Sequence, residues 1–239
     1  MTLLHGVNDN FRMGLRDGMP ICLGYIAVSF AFGLFACSSG LAAWQAILIS
    51  MLNLTSAGQL AAVPILAGGG GILELVLTQT IINSRYALMS VSYSQRMSDG
   101  MRVMDRLLVG FANTDEVFAV AMGKEQMLGK KYLRGLIIPP YVGWVVGTTL
   151  GALAGNVLPP MLVTALSISM YAMFIAIITP VVRDSLGTAI AVFAAVGISC
   201  LFNYLPYLSE VPSGFVTIIA AVAVSLACAL LFPIKEEEE

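Results

Sequence analysis

Four stretches of this chain, residues 18–73, 135–182, 185–209 and 211–234, contain no Lys, Arg, Asp or Glu. A spanning helix needs about 20 mostly apolar residues to cross roughly 30 Å of hydrocarbon. The first two gaps therefore hold two spans each and the last two hold one each. A seventh span runs from about Leu73 to Tyr93, apolar apart from Glu74 at its mouth and Arg85 near its middle. An eighth, residues 107–123, is short for a span. It either crosses or dips in and returns, and the second course requires protein or a water-filled cavity to cover the exposed backbone. Composition agrees: 58% of residues are hydrophobic and 11% charged, with a mean hydropathy of +0.88, against roughly 45–50% apolar and 25% charged in soluble domains.

The expected fold is an all-α, polytopic membrane helix bundle of seven to eight transmembrane segments, some broken or re-entrant, forming a single domain over residues 1–239. No removable signal peptide is evident in the first 18 residues, which carry Asp9, Arg12, Arg16 and Asp17, so the first span serves as an uncleaved insertion signal. Cys22, Cys37, Cys200 and Cys228 lie in or beside spans and form no C-x-x-C pair. They imply lipid-embedded packing, with no metal site and no disulfide framework. The EEEE tail after Lys235 reads as a solvated end.

Basic residues set orientation, and two arrangements satisfy them. If 107–123 crosses and the N-terminus is inside, Arg96, Arg102 and Arg106 fall outside. If that segment is re-entrant and the N-terminus is outside, only Arg12 and Arg16 do. Both put Lys124, Lys130, Lys131 and Arg134 in the cytoplasm. A weak internal echo sets PICLGY at 20–25 against the stretch beginning at Pro139, with Pro, Gly and an aromatic in register. Symmetry-related repeats of this kind build many transporters.

Gly143, Gly147, Gly151 and Gly155 recur at a strict spacing of four, which strips side chains from one helical face and lets a neighbouring helix approach closely. In the second span Asn53, Thr55, Ser56, Gly58 and Gln59, followed by Pro64, interrupt an apolar run. Two readings stand: a helix that unwinds to offer backbone groups to a ligand, or ordinary interhelical hydrogen bonding by small polar residues.

The third span carries Gln79, Asn83, Arg85 and Tyr86, and the short segment carries Asp115 and Glu116 after Thr114. An arginine at a helix centre costs about 2.5–3.5 kcal/mol on insertion scales. With both acids the total approaches roughly 10 kcal/mol if each stood alone in lipid, comparable to the whole stability of a typical protein. The economical arrangement turns Arg85 inward against one acid. Adjacent residues on a helix point about 100° apart, so Asp115 and Glu116 cannot both face the same partner. An ion pair that only holds helices together is one reading; substrate or proton handling is the other, and it is the default for ionisable groups inside a membrane.

SAGQ at 56–59, NSRY at 83–86 and TDEVFA at 114–119 resemble, in this order and in these spans, the AzlC-type branched-chain amino-acid permeases of the LIV-E exporter family. The resemblance runs from the F-x-x-G start at Phe11, through the P-x-x-x-G-Y element at 20–25 and AFG at 31–33, to the end of the last span. It implies a secondary transporter of the bacterial cytoplasmic membrane that exports valine- or leucine-like amino acids as the large subunit of a complex with a small AzlD-type companion. The chain departs from the family at Ser84, where an acid often precedes the arginine, and at Thr55–Gln59, where an aromatic-Ala-Gly-x-x-Gln pattern is usual. Both bear on the substrate more than on the transport role.

A zwitterion with a small apolar tail needs an acceptor for its ammonium, a donor for its carboxylate and an apolar pocket. Candidate substrate-binding residues are Asn53, Ser56, Gly58, Gln59, Asn83, Arg85, Tyr86, Thr114 and Phe118, with Phe111 also apolar and close in sequence. Asp115 and Glu116 are the candidate proton-coupling pair, the acid less tied to Arg85 being better suited. No cofactor, metal or nucleic-acid partner is expected. An enzyme is disfavoured, because the single His5 is terminal and no H-E-x-x-H motif is present. The competing reading is a non-transporting scaffold subunit.

Overall fold

The computed structural model describes residues 6–155 and 157–232. His5, Lys235 and the acidic tail lie outside the described residues. The chain divides into two compact units. One takes in residues through Leu60 together with Ile82–Met170; the other takes in Ala61–Ile81 and the chain from Tyr171 onward.

The first unit is organised by α1 (Phe11–Ser38) and α8 (Lys130–Ala154). Each follows a two-residue strand, β1 (Val7–Asn8) and β2 (Met127–Leu128), and the strands pair in parallel. Asn10 caps α1 by accepting the Met13 N–H at 3.2 Å, which satisfies one of the orphan donors of its first turn. The two helices run side by side in the same direction. A Cβ added at Gly135, Gly143, Gly147 or Gly151 would strike the α1 main chain at Phe11, Cys22, Ile26 or Phe30, and one at Gly14, Gly18 or Gly33 would strike α8. Gly155, the last of the spaced glycines, caps α8 and has only an ordinary contact with Leu34 at 3.6 Å.

The internal echo has a spatial counterpart in this pair. With Pro20 set against Pro139, Tyr25 falls on Trp144, and these two rings meet edge to face with centroids 5.1 Å apart.

Both polar spans are broken. The second becomes α2 (Ala43–Leu52) and α3 (Ser56–Ala67), parted where Asn53 turns extended at φ −150, ψ 127 and its Oδ1 accepts the Thr55 N–H at 2.9 Å. Asparagine side chains compete for backbone donors in this way. Pro64 lies inside α3 and ends nothing. The third span becomes α4 (Ile72–Asn83) and α5 (Arg85–Arg96); Ser84 between them keeps helical angles, so this break is a kink.

Residues 107–123 do not form one helix. α6 (Val103–Phe111) and α7 (Asp115–Met122) meet at Ala112–Thr114, where Thr114 caps α7 by accepting the Val117 N–H. The segment enters beside Arg134, which pairs with Asp105, and Phe111 reaches Tyr141, about 10 Å further along α8 at 1.5 Å per residue. It leaves at Lys124, whose ammonium pairs with Asp17 at 2.7 Å. Entry and exit therefore lie at the same end of α8, and the segment is re-entrant.

Neither arrangement of basic residues drawn from the sequence survives this geometry. β1 lies beside β2, the Ser98 N–H bonds the Leu128 carbonyl at 3.0 Å, the Arg96 guanidinium bonds the Lys124 carbonyl, and Lys131 takes Asp9 through its backbone N–H at 2.7 Å. Arg12, Arg16, Arg96, Arg102, Arg106, Lys124, Lys130, Lys131 and Arg134 all gather at one end of the unit. Charge counting could not find this, because it needed a two-residue strand pairing that leaves no periodic trace.

Asp105 anchors the entry. Its burial works to raise the carboxyl, but hydrogen bonds from the Arg134 guanidinium and the Arg102 backbone N–H, with the charges of Arg134 and Lys130, hold it below its ordinary value of 3.8. A depressed carboxylate contributes stability above its unfolded value, lost as pH falls through the folded one. Acid below about pH 4 is therefore expected to loosen the segment, and Asp105→Asn to flatten that dependence. Proteolysis at the 97–102 loop as a function of pH measures it.

Among the described residues four helices are long and apolar enough to cross a bilayer unaided: α1, α8, α10 (Leu186–Tyr204) and α11 (Ser213–Leu231). α9 (Pro160–Asp184) is of similar length. In the second unit, Glu74 of α4 is buried and accepts the Gly214 N–H at the start of α11 at 2.9 Å, a favourable position for an anion. Phe232 packs over Gly187 of α10.

Candidate functional site

Three helix interruptions in the first unit converge on the middle of the α1–α8 pair. Tyr25 stands midway along α1. Its hydroxyl donates to Glu116 Oε2 at 2.5 Å, and its ring packs with Leu54 and Trp144 in a small buried cluster. The Trp144 indole N–H donates to Gln59 Oε1 at 3.0 Å. The Gln59 amide in turn donates to the Asn53 carbonyl at 2.7 Å and to Ser50 at 3.3 Å, and Ser50 shares a 2.7 Å hydrogen bond with Thr148.

The two acids divide as their 100° offset requires. Asp115 pairs with Arg85, while Glu116 takes Tyr25. Arg85 also donates to the Tyr86 hydroxyl at 3.3 Å and lies 5.0 Å from that ring's centroid. Both acids occupy the first turn of α7, where the unpaired N–H groups favour negative charge. The Arg85 and Asp115 side chains are 41% and 51% exposed on the isolated chain, so the ion pair opens to the surroundings of the unit and is not sealed within it.

The tip of the segment between α6 and α7 holds buried polar groups without partners. Asn113 is only 4% exposed, yet neither its side-chain oxygen nor its nitrogen has a hydrogen-bond partner; Thr55 Oγ1, at the α2–α3 break, is likewise buried and unpartnered. Buried polar groups are almost always paired, because leaving one unsatisfied costs about 1–3 kcal/mol. Two helix breaks thus each carry a buried polar side-chain atom with no hydrogen-bond partner within the chain.

The proposed site residues separate on this geometry. Arg85, Tyr86, Thr114, Asp115 and Glu116 come together at the α5–α7 junction, with Asn83 one residue before its kink. Ser56 and Gly58 lie in the first turn of α3, beside the Asn53 break. Gln59, fully buried, has its amide engaged on both sides and holds that break closed. Phe118 packs edge-on against Tyr93 at 5.3 Å, partly buried between α5 and α7. Tyr25, Trp144 and Asn113 join the site without being candidates from the sequence. The first two were visible as the aromatics of the echo; a lone Asn beside TDEVFA carried no signal of its burial.

Comparison with known proteins identifies the family. The sequence profile of the AzlC protein family matches residues 20–158, more than half of the chain. An uncharacterized membrane protein of Archaeoglobus fulgidus is 31% identical over 172 residues, covering 71% of this chain and 75% of that protein. The inner membrane protein YgaZ of Escherichia coli is 30% identical over 150 residues, 61% of each chain; the match thus spans about three fifths of that relative. No solved structure matches. The profile takes in α1 from Pro20 onward, α8, all three interruptions and the paired acids, and on that ground the chain is a membrane protein belonging to the AzlC family.

Proposed function

We propose that this chain is the large subunit of a secondary transporter that exports branched-chain amino acids across the cytoplasmic membrane in exchange for protons, assembled with a small AzlD-type companion. The observation that carries the reading is the meeting of interrupted helices, an Arg85–Asp115 pair, a separate carboxylate on Glu116 and buried orphan polar groups in one place. Discontinuous helices near the midplane are where secondary transporters bind substrate and coupling ion. Arg85 or the backbone amides of the α2–α3 break receive the carboxylate, an acid of α7 receives the ammonium, and Leu54, Tyr141 and Phe111 offer apolar surface. No covalent step is assigned to any residue.

Counterflow of labelled valine in vesicles, with and without the companion and across a pH step, tests this. Accelerated exchange that depends on unlabelled valine supports it. Stabilisation of the purified chain by the companion alone, with no response to valine under any condition, favours the scaffold instead.

The basic end of the first unit faces the cytoplasm in this reading, since Lys and Arg are retained there. The N-terminus and the 97–102 and 124–129 loops are then expected on the same, inner side. Protease protection of tags at these three positions measures it; a tag at 97–102 cleaved from outside while the N-terminus is protected contradicts the re-entrant course.

A further inference from the structure

A single run of contacts joins the free carboxylate to the α2–α3 break. From Glu116 it passes to the Tyr25 hydroxyl at 2.5 Å, across the Tyr25 ring edge to Trp144, through the indole N–H to Gln59 at 3.0 Å, and through the Gln59 amide to the Asn53 carbonyl at 2.7 Å. Trp144 has one donor, and Gln59 Oε1 takes it. The middle of the run is sealed, with Trp144 2% exposed and Gln59 fully buried, while Glu116 at its outer end is exposed.

We propose that Tyr25 is a positioning residue that ties the protonation of Glu116 to the geometry of the α2–α3 break, through Trp144 and Gln59. The linkage deepens the transport reading and rests on it for its biological use, but it makes a claim about the chain itself that is measurable apart from transport.

The physical basis is the change in what Tyr25 can donate to. A hydrogen bond to an ionised acceptor is roughly twice as strong as one between neutral groups, so the phenol is held in place while Glu116 is charged. Protonation turns the carboxyl into a donor and weakens that hold. The ring is then free to shift against Trp144, and the only polar anchor of the indole is the glutamine that closes the break. α7 packs on α1, α5 and α8. The titratable groups facing Glu116 are Tyr25 from α1, Arg85 and Tyr86 from α5 and Asp115 on its own helix. From α1 and α8, Asp17 and Tyr132 are engaged with each other at the far end of α7, beside Lys124, and Tyr141 donates to the Met51 carbonyl at 3.1 Å.

The chain has two tryptophans, which makes the test direct. Trp44 is 65% exposed on α2, away from the run. In the full-length Trp44→Phe protein, reconstituted in lipid nanodiscs, all tryptophan emission comes from Trp144. Its emission is expected to titrate with pH. Adding Glu116→Gln abolishes the transition. Adding Tyr25→Phe keeps the ring but removes the donor to the charged carboxylate; it cuts the amplitude of the transition severalfold. An unchanged amplitude with Tyr25→Phe, or a transition that persists with Glu116→Gln, overturns the proposal. Should Tyr25→Phe not fold, the Glu116→Gln comparison decides alone. If valine counterflow is absent throughout while the emission behaves as stated, the transport reading fails and the linkage stands.

Discussion

Gly147→Leu is expected to separate α1 from α8 and to leave a chain that inserts but does not assemble into a monodisperse particle. A Cβ at 147 meets the Ile26 carbonyl, the Ser29 hydroxyl and, at 2.9 Å, the Ile26 Cα. The hydroxyl can turn away; the main chain cannot. Overpacking costs about 1–3 kcal/mol where side chains can adjust, and here two helices must move apart along a seam of mutual glycines. The loss should therefore sit at or above the top of that range. Gly155→Leu supplies the control, because its nearest neighbour is a leucine methyl at 3.6 Å, and little loss is expected there. Thermal unfolding and size-exclusion profiles in detergent compare the two. If 147 and 155 behave alike, close backbone approach is not what holds the pair. Substrate affinity is expected to fall only as far as folded protein is lost, since no candidate ligand group comes from Gly147.

The glycine seam was legible because it is a periodic statement: a spacing of four fixes a face whatever that face meets. The break at Asn53 was legible as one of two readings, because polar residues in an apolar run need an exceptional backbone or an exceptional partner; the break before Asp115 was not. The kink at Ser84 was not read, since its residues stay helical on both sides. Nor was the course of 107–123. Hydropathy counts apolar residues and is blind to direction, so a segment that crosses and one that turns back at Ala112–Thr114 have the same composition. The division of labour between Asp115 and Glu116 followed from helix geometry alone, but the partner of the second acid did not. Tyr25 lies 91 positions from Glu116, and only the parallel packing of α1 on α8 brings its midpoint to the tip of the re-entrant segment.

That division of labour has a kinetic consequence. Asp115→Asn is expected to reduce valine exchange and pH-driven export together, by more than about tenfold, which corresponds to about 1.4 kcal/mol. It leaves the Arg85 guanidinium without its counter-charge at mid-depth. In water such a half-exposed pair would contribute about 1 kcal/mol or less; beside hydrocarbon an unpaired arginine costs about 2.5–3.5 kcal/mol, so the larger figure governs. The double variant Arg85→Gln with Asp115→Asn removes both charges and is expected to recover folding without recovering transport. Glu116→Gln should behave differently. Glutamine resembles the protonated acid, so substrate exchange at a single pH persists while the response to a pH gradient is lost. Counterflow and gradient-driven export measured on the same vesicles separate the two outcomes. Full activity of both single variants would remove the carboxylates from the mechanism and leave them as helix-holding charges, whereas equal loss of exchange and of coupling in Glu116→Gln would place that acid in the substrate site and not on the proton path.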